Sequence, residues 1–399
     1  MSAGPGPGRR VLRAAVRERK VLVVGGAGGV GKTTTAAALA LQAAVLGRQV
    51  LVCTIDPSRR LVTSLGLRQL GDRPRALDLG RVAPEAKGTL WAMTLDTQRT
   101  FDALVERHAP TEESRKRILE NRFYQQVSAA LAGSHEYMAM EKLLELSADE
   151  RFDLVVLDTP PTRHALDFLE APARLMGFLD TSVLRWVLRP YFVAGRLTLQ
   201  VATRTGAIAL KLADRVLGLQ FLQDLSEFFL AFEGMYEGFK QRAAQVQHLL
   251  REPSSAFVLV AAPTKASLEE ALFFHERLRE AGMPFVSFIV NRVHPDPAAA
   301  RSTGVPGEPP VRLDRDLKRR LVDVFQDQQA LARAERRHIA QLGEQVAAPV
   351  VLVPERETDV HDLRALKEVG ETILGGEPDA LRARSGARAR SRTRAGGAP

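Results

Sequence analysis

A lysine and a threonine at positions 32 and 33, behind a run of glycines, carry the first chemistry in this chain. Gly26-x4-Gly31-Lys32-Thr33 has the spacing GxxxxGK[ST]. Glycines let a backbone curl until successive N–H groups point at one anion. A helix starting at Lys32 adds the partial positive charge of its N-terminus. The set Gly26, Gly28, Gly29, Val30, Gly31, Lys32, Thr33 and Thr34 therefore reads as a phosphate cradle. Lys32 reaches the β- and γ-phosphates, and the Thr33 hydroxyl is a ligand for Mg²⁺.

Two aspartates end apolar runs farther on. Asp56 follows residues 49–55, and Asp158 follows residues 152–157, FDLVVL. In doubly wound sheets, ligands bind at the carboxyl ends of strands. Asp56 is either the N-cap of a helix entered at Pro57 or the group that orients the water attacking a γ-phosphate. Asp158, ahead of Thr159-Pro160-Pro161, has the place of a carboxylate that supports Mg²⁺. A guanine-specific [NT]KxD motif is missing: the nearest stretch, Thr264-Lys265-Ala266-Ser267, lacks its Asp. Adenine needs only an amide, and Asn291 ends the apolar run 284–290. The expected nucleotide is ATP.

These residues need a scaffold. Apolar runs at 20–24, 49–55, 90–95, 152–157, 256–262, 284–290 and 349–353 alternate with helical stretches. That alternation predicts an α/β fold, a doubly wound, mostly parallel sheet of the P-loop NTPase kind. A long helical region over 97–149 is read as packing on the sheet. Residues 171–250 differ: they are helical, apolar and Arg-studded, with a wide stripe from Phe221 to Phe239. The stripe is either core or a groove for an apolar partner helix. The expected organisation is a basic disordered tail over 1–19, an ATPase core over 20–170 and 251–376, a helical insertion over 171–250, and an Arg-rich disordered tail over 377–399.

Composition narrows the class. The chain has 399 residues, 45% of them apolar, and a net charge of +9. Residues 1–20 carry +5 and residues 381–399 carry +6, so the 360 residues between them carry −2. The basicity is terminal, and nucleic acid is not an expected partner of the body. Cys53 is the only cysteine. It permits no internal disulfide and no cysteine-based metal cluster, so no zinc is expected. No apolar segment precedes the first strand as a signal peptide would. These features suit the cytoplasm, with membrane association, if any, through a partner.

Five segments in order resemble those of the arsenite-pump ATPase family, which includes the factor that targets tail-anchored membrane proteins. They are GGAGGVGKTTT (25–35), TIDPSRRL (54–61), DTPPTRHALDFL (158–169), IVNR (289–292) and LVPERETDVHDL (352–363). The similarity runs from about residue 20 to 375. It implies that Lys32, Thr33 and Thr34 contact phosphates and Mg²⁺, Asp56 positions water, and Asp158 supports Mg²⁺. It also implies that Asn291 and the backbone near Pro354 hold adenine. Family members work as two facing nucleotide domains, and in the targeting factor the helical insertion cradles a transmembrane segment.

The chain departs from the family in three ways. The early lysine of GKGGVGKTT, which reaches across the dimer to the partner's phosphates, is Ala27 here. Arg59, Arg60 or Arg163 could replace it in a homodimer, or a lysine-bearing relative could supply it in a heterodimer. The paired cysteines that clasp zinc at the dimer seam are missing. Three thiolates for arsenite are missing too, so arsenite is not expected to stimulate turnover. The expected function is that of a Mg-dependent ATPase acting as a dimeric switch on an apolar protein segment. The alternatives are a partition-type ATPase and a weakly hydrolysing ATP-binding subunit.

Overall fold

The computed structural model describes residues 6–55, 59–127, 134–159, 234–299 and 314–375, with Asp224, Glu227, Phe228 and Ala231. Asp56, Arg163 and the Arg-rich C-terminal stretch lie outside them, as does most of the 171–250 insertion. The described chain falls into two compact units. One comprises residues 1–94, 149–165 and 250–399; the other comprises 95–148 and 166–249.

The first unit is built on an eight-stranded sheet. Its strands are β1 (Val21–Gly26), β2 (Gln49–Thr54), β3 (Arg75–Ala76), β4 (Thr89–Thr94), β5 (Leu154–Asp158), β6 (Ser255–Ala261), β7 (Phe285–Val293) and β8 (Val350–Pro354). The order is β3-β4-β2-β5-β1-β6-β7-β8. Every pairing is parallel except β3 with β4. The doubly wound α/β expectation holds. Strand β1 is central and buried along its whole length, as a parallel strand covered on both faces must be.

Helix α2 (Lys32–Val45) explains how the sheet is covered. Its residues are mostly Ala, Leu and Thr, and twelve of the fourteen are buried. Small side chains let a second helix approach closely. In the last helix, α11 (Leu363–Leu374), a Cβ at Gly370 would run into the Gln42 side chain of α2. Gln42 Nε2 instead donates to the Lys367 carbonyl at 3.2 Å.

The N-terminus corrects the sequence reading. Residues 7–18, expected within a disordered tail, form helix α1 (Pro7–Glu18). Leu12 and Val16 are fully buried, and Ala15 is nearly so. The reason is spacing: apolar residues at i, i+3 and i+4 make one face, and the arginines that dominate the charge count occupy the other. Pro7 sits in the first turn, where its missing N–H has no cost.

The second unit contains α4 (Thr97–His108), α5 (Glu112–Leu119), α6 (Arg122–Val127), α7 (Ser134–Ala148) and α8 (Tyr236–Arg251). The helical periodicity over 97–149 was read correctly, but its partner was not. These helices group with the insertion, and Tyr137 of α7 stacks on Phe239 of α8 at 5.9 Å. Phe228 lies parallel to Tyr124 at 6.0 Å. Within the 221–239 stripe, Phe228, Met235 and Phe239 are core. Phe221, Leu222, Leu225, Phe229 and Phe232 lie outside the described residues. Short α3 (Arg60–Ser64), α9 (Lys265–Glu280), the 31-residue α10 (Arg315–Gln345) and a 3₁₀ turn at Pro297–Ala299 are also described. Among the described residues, no helix is long and apolar enough to cross a membrane.

Candidate nucleotide-binding site

The site forms where β1 ends. Val24 is in register with Asp158 on β5, and Gly26 with Val260 on β6. Gly26 has φ +145°, and a Cβ there would collide with the Val260 carbonyl. Only glycine lets the chain leave the sheet at that point. Gly31 is the left-handed N-cap of α2, with φ +93°. A Cβ on Gly31 would strike the Asn291 amide.

Lys32 opens α2 and is buried, and its Nζ donates to the Ala27 carbonyl at 2.7 Å. The ammonium is thus held over the loop it follows. Thr33 is buried beside it, and the first turn of α2 has no acidic residue and no side-chain cap. A helix N-terminus in that condition presents donors to an anion.

Asp158 ends β5 with no solvent exposure. Its Oδ2 accepts a hydrogen bond from Thr54 Oγ1 at 2.8 Å. Thr159 donates to the Val24 carbonyl through both N–H (3.2 Å) and Oγ1 (2.9 Å). Strands β1, β2 and β5 are cross-tied at their carboxyl ends, so the carboxylate is held in place. The oxygen donors here, the Thr33 hydroxyl and the Asp158 carboxylate, are of the hard kind that suits Mg²⁺, which commonly takes one or two carboxylates and the phosphates of its nucleotide. The glycine cradle and this donor set fit an Mg²⁺–nucleoside phosphate.

Asn291 lies within β7, and its Nδ2 donates to the Val30 carbonyl at 2.9 Å. That bond ties β7 to the glycine loop. Val30 itself is buried in the core. The next residue, Arg292, has φ +62°, the left-handed region that a long side chain rarely occupies. Here β7 slips against β8: Val290 pairs with Leu352, but Val293 pairs with Pro354. Pro354 is exposed at the end of β8.

A cleft of about 590 Å³ brings together Lys32, Thr33 and Thr34 with the loop glycines Gly29 and Gly31, while Asp158, Asn291 and Pro354 are not among its lining residues. Gly29, Gly31, Lys32, Thr33, Thr34 and Thr159 line one part, and Arg59, Arg60, Arg292, Asp359 and His361 line the rest. Its described lining holds four cations and one carboxylate, so it favours a polyanion. Two of the arginines weighed as substitutes for the early lysine, Arg59 and Arg60, are in this wall. Ala27 packs its methyl against the core. The sequence reading gave no role to Arg292, Asp359 or His361. Arg292 stands in IVNR and the other two in LVPERETDVHDL, so position in these segments was the available signal.

A sequence profile of the anion-transporting ATPase family matches residues 19–329. ATPase GET3 of Malassezia globosa is 33% identical over 158 residues, 39% of this chain and 43% of that protein. ATPase get3 of Schizosaccharomyces japonicus is 30% identical over 177 residues, 44% of this chain and 51% of that protein. ATPase GET3C of Arabidopsis thaliana is 27% identical over 301 residues, 70% of this chain and 68% of that protein. The chain thus spans about half the length of the two fungal relatives, and two thirds of the plant one. With the glycine loop, Asp158 at the end of β5 and a profile match running from just before β1 into α10, this chain belongs to the anion-transporting ATPase family.

Proposed function

We propose that the chain binds ATP with Mg²⁺ at this cleft and hydrolyses its γ-phosphate. The observation that carries the reading is Lys32, buried at the head of α2 and bridged to Ala27 across a glycine loop whose cleft wall holds three arginines. Loop N–H groups and Lys32 stabilise the charge that develops on the transferred phosphoryl oxygens. Asp56 orients the attacking water. Thr33 and Asp158 hold Mg²⁺, which neutralises phosphate charge when bound. Asn291 ties β7 to the glycine loop through the Val30 carbonyl, and its remaining amide edge, with the backbone at Pro354, serves adenine. Hydrolysis operates a two-copy switch whose helical unit receives an apolar protein segment, with Arg59 and Arg60 compensating for Ala27.

The test is phosphate release by the full chain against the Lys32→Ala and Asp56→Asn variants. Lys32→Ala is expected to lose ATP binding, and Asp56→Asn to bind ATP but turn over slowly. Wild-type release no faster than that of Lys32→Ala would leave the chain an ATP-binding subunit whose catalytic cation comes from another chain. Failure of the wild type to bind ATP would remove the reading altogether.

A further inference from the structure

Helix α10 is about 46 Å long at 1.5 Å per residue. Its two halves have different surroundings. In the C-terminal half, Ala332, Glu335 and Leu342 are buried, and Glu335 accepts the backbone N–H of His294 at 2.8 Å. In the N-terminal half, every residue from 314 to 328 is exposed.

That exposed half is not polar throughout. Leu317, Leu321, Val324 and Phe325, with Leu331 just beyond that half, are 40–58% exposed, as is Val322 on a different face. At 100° per residue the first five share a face with Ala332, Glu335 and Leu342. The face that packs on the body thus runs on, without cover from the described residues, for about five turns. Single exposed leucines are ordinary; five on one face of a projecting helix are not.

We propose that this half of α10 pairs antiparallel with α10 of a second copy of the chain. The first argument is period. Residues 317, 321, 324, 328 and 331 follow the alternating four- and three-residue spacing of a coiled-coil seam. Gln328 is the one polar residue among them, and a polar seam residue fixes register. The second argument is charge. Arg320 and Asp327 flank one side of the seam, one heptad apart and opposite in sign. An antiparallel two-fold brings each Arg320 close to Asp327 of the other copy, giving two equivalent ion pairs. A parallel arrangement places Arg320 beside Phe325 and Asp327 beside Ala332, with no ion pair. The isologous two-fold is also the commonest oligomer geometry.

The seam is short. A stable interface buries about 800 Å² per partner, and one pair of five-turn helices falls below that. The pairing is weak alone and strengthens with any second contact between the copies. It gives a location to the two-copy state proposed above and rests on that part of the reading, not on the nucleotide chemistry.

The experiment is sedimentation velocity of the full chain over a concentration series, with and without ATP, combined with thiol pairing. Wild type is expected to show a concentration-dependent dimer. Leu321→Glu/Val324→Glu should weaken it at least tenfold and, at concentrations where wild type is monomeric, leave the thermal midpoint unchanged. Leu317 faces Gln328 of the second copy in the antiparallel register. A mixture of Leu317→Cys chains with Gln328→Cys chains, under a mild oxidant, should therefore give the mixed disulfide. Neither variant alone should cross-link, because native Cys53 is buried. Arg320→Asp should weaken the dimer a few-fold, and adding Asp327→Arg should restore it. A dimer untouched by the stripe variants, or Leu317→Cys cross-linking to itself, overturns the pairing and leaves the two-copy state standing. A monomer under every condition overturns both.

Discussion

The two units use charge in opposite ways. In the first, Lys32, Arg59, Arg60 and Arg292 converge on a cleft whose described lining contains one carboxylate, Asp359. In the second, charge is matched internally. Glu141, only 2% exposed, pairs with Arg242, and the Tyr137 hydroxyl donates to the same carboxylate at 3.3 Å. Burial and the adjacent carboxylate push the Tyr137 phenol far above its ordinary value, so it remains a donor at any physiological pH. Arg292 has Glu355 at 3.9 Å, yet among the described residues the cleft lining remains rich in cations, whereas Glu141 and Arg242 match each other inside the second unit. Cationic residues in the cleft should therefore matter to ligand more than to folding, and those in the helical unit should do the reverse.

The largest expected effect tests the cleft. Lys32→Ala should lower phosphate release about 10²–10³-fold, the range for removing one preorganised donor. Its urea midpoint without ATP should stay close to wild type, since the Nζ bond to Ala27 is to a carbonyl of the loop just before it. A large stability loss with modest catalytic loss would reverse the comparison. Glu141→Ala tests the other unit. It leaves Arg242, 20% exposed, without its buried carboxylate, and should cost about 3 kcal/mol by urea denaturation. ATP binding should persist. Glu141→Ala with Arg242→Met should recover most of the loss, because the uncompensated charge is then gone. No recovery would mean that packing, not charge, sets the cost.

Arg60→Ala and Arg59→Ala come next. Both residues are exposed, so each should lower hydrolysis about tenfold, roughly 1.4 kcal/mol, and leave stability unchanged. Ala27→Lys sharpens the point. If the arginines compensate for the early lysine, Ala27→Lys should rescue Arg60→Ala. If it raises turnover in the wild type by orders of magnitude, the arginines were not compensating.

Much of the first unit was legible because its signals are local. The turn at Gly25–Gly31, the run before it and the helix after it are adjacent in sequence, and β1, β2, β5 and β8 fell within two residues of their expected bounds. Strand β7 ran three residues past expectation, through Asn291 and Arg292, because its pairing with β8 resumes after a register shift that no composition encodes. What failed did so for a physical reason. Helix α1 hid behind its arginines, since a charge count ignores which face the charges occupy. The grouping of α4 and α7 with the insertion was hidden because helical periodicity shows that a face is buried but not against what. Asn291 was expected just past a strand's carboxyl end and lies instead within β7. Its bond to Val30 depends on two segments 261 residues apart, and only the fold brings them together.

The smallest expected effect compares two histidines, one from each unit. His275, on α9 beside Phe285 and Phe288, is held below the usual imidazole range by burial and then by Arg279. His108, at the end of α4, is held down by burial, then by Arg242, with Glu141 opposing and Arg107 adding to the shift. In both cases the unfolded chain binds more protons than the folded one at mildly acid pH, so stability rises with pH there. The contribution is complete above the unfolded value near 6.5. It is lost as pH falls through that value toward the lower folded one. Urea midpoints taken between pH 7.5 and 5.5 should therefore drop, and His108→Gln and His275→Asn should each flatten part of the slope. The two are distinguished by adding Glu141→Gln. Removing that carboxylate should steepen the acid sensitivity that depends on His108, since the one raising influence is gone, and leave the His275 part untouched. If Glu141→Gln leaves the His108 part unchanged as well, neither charge of the Glu141–Arg242 pair is felt at His108, and burial alone keeps that imidazole uncharged.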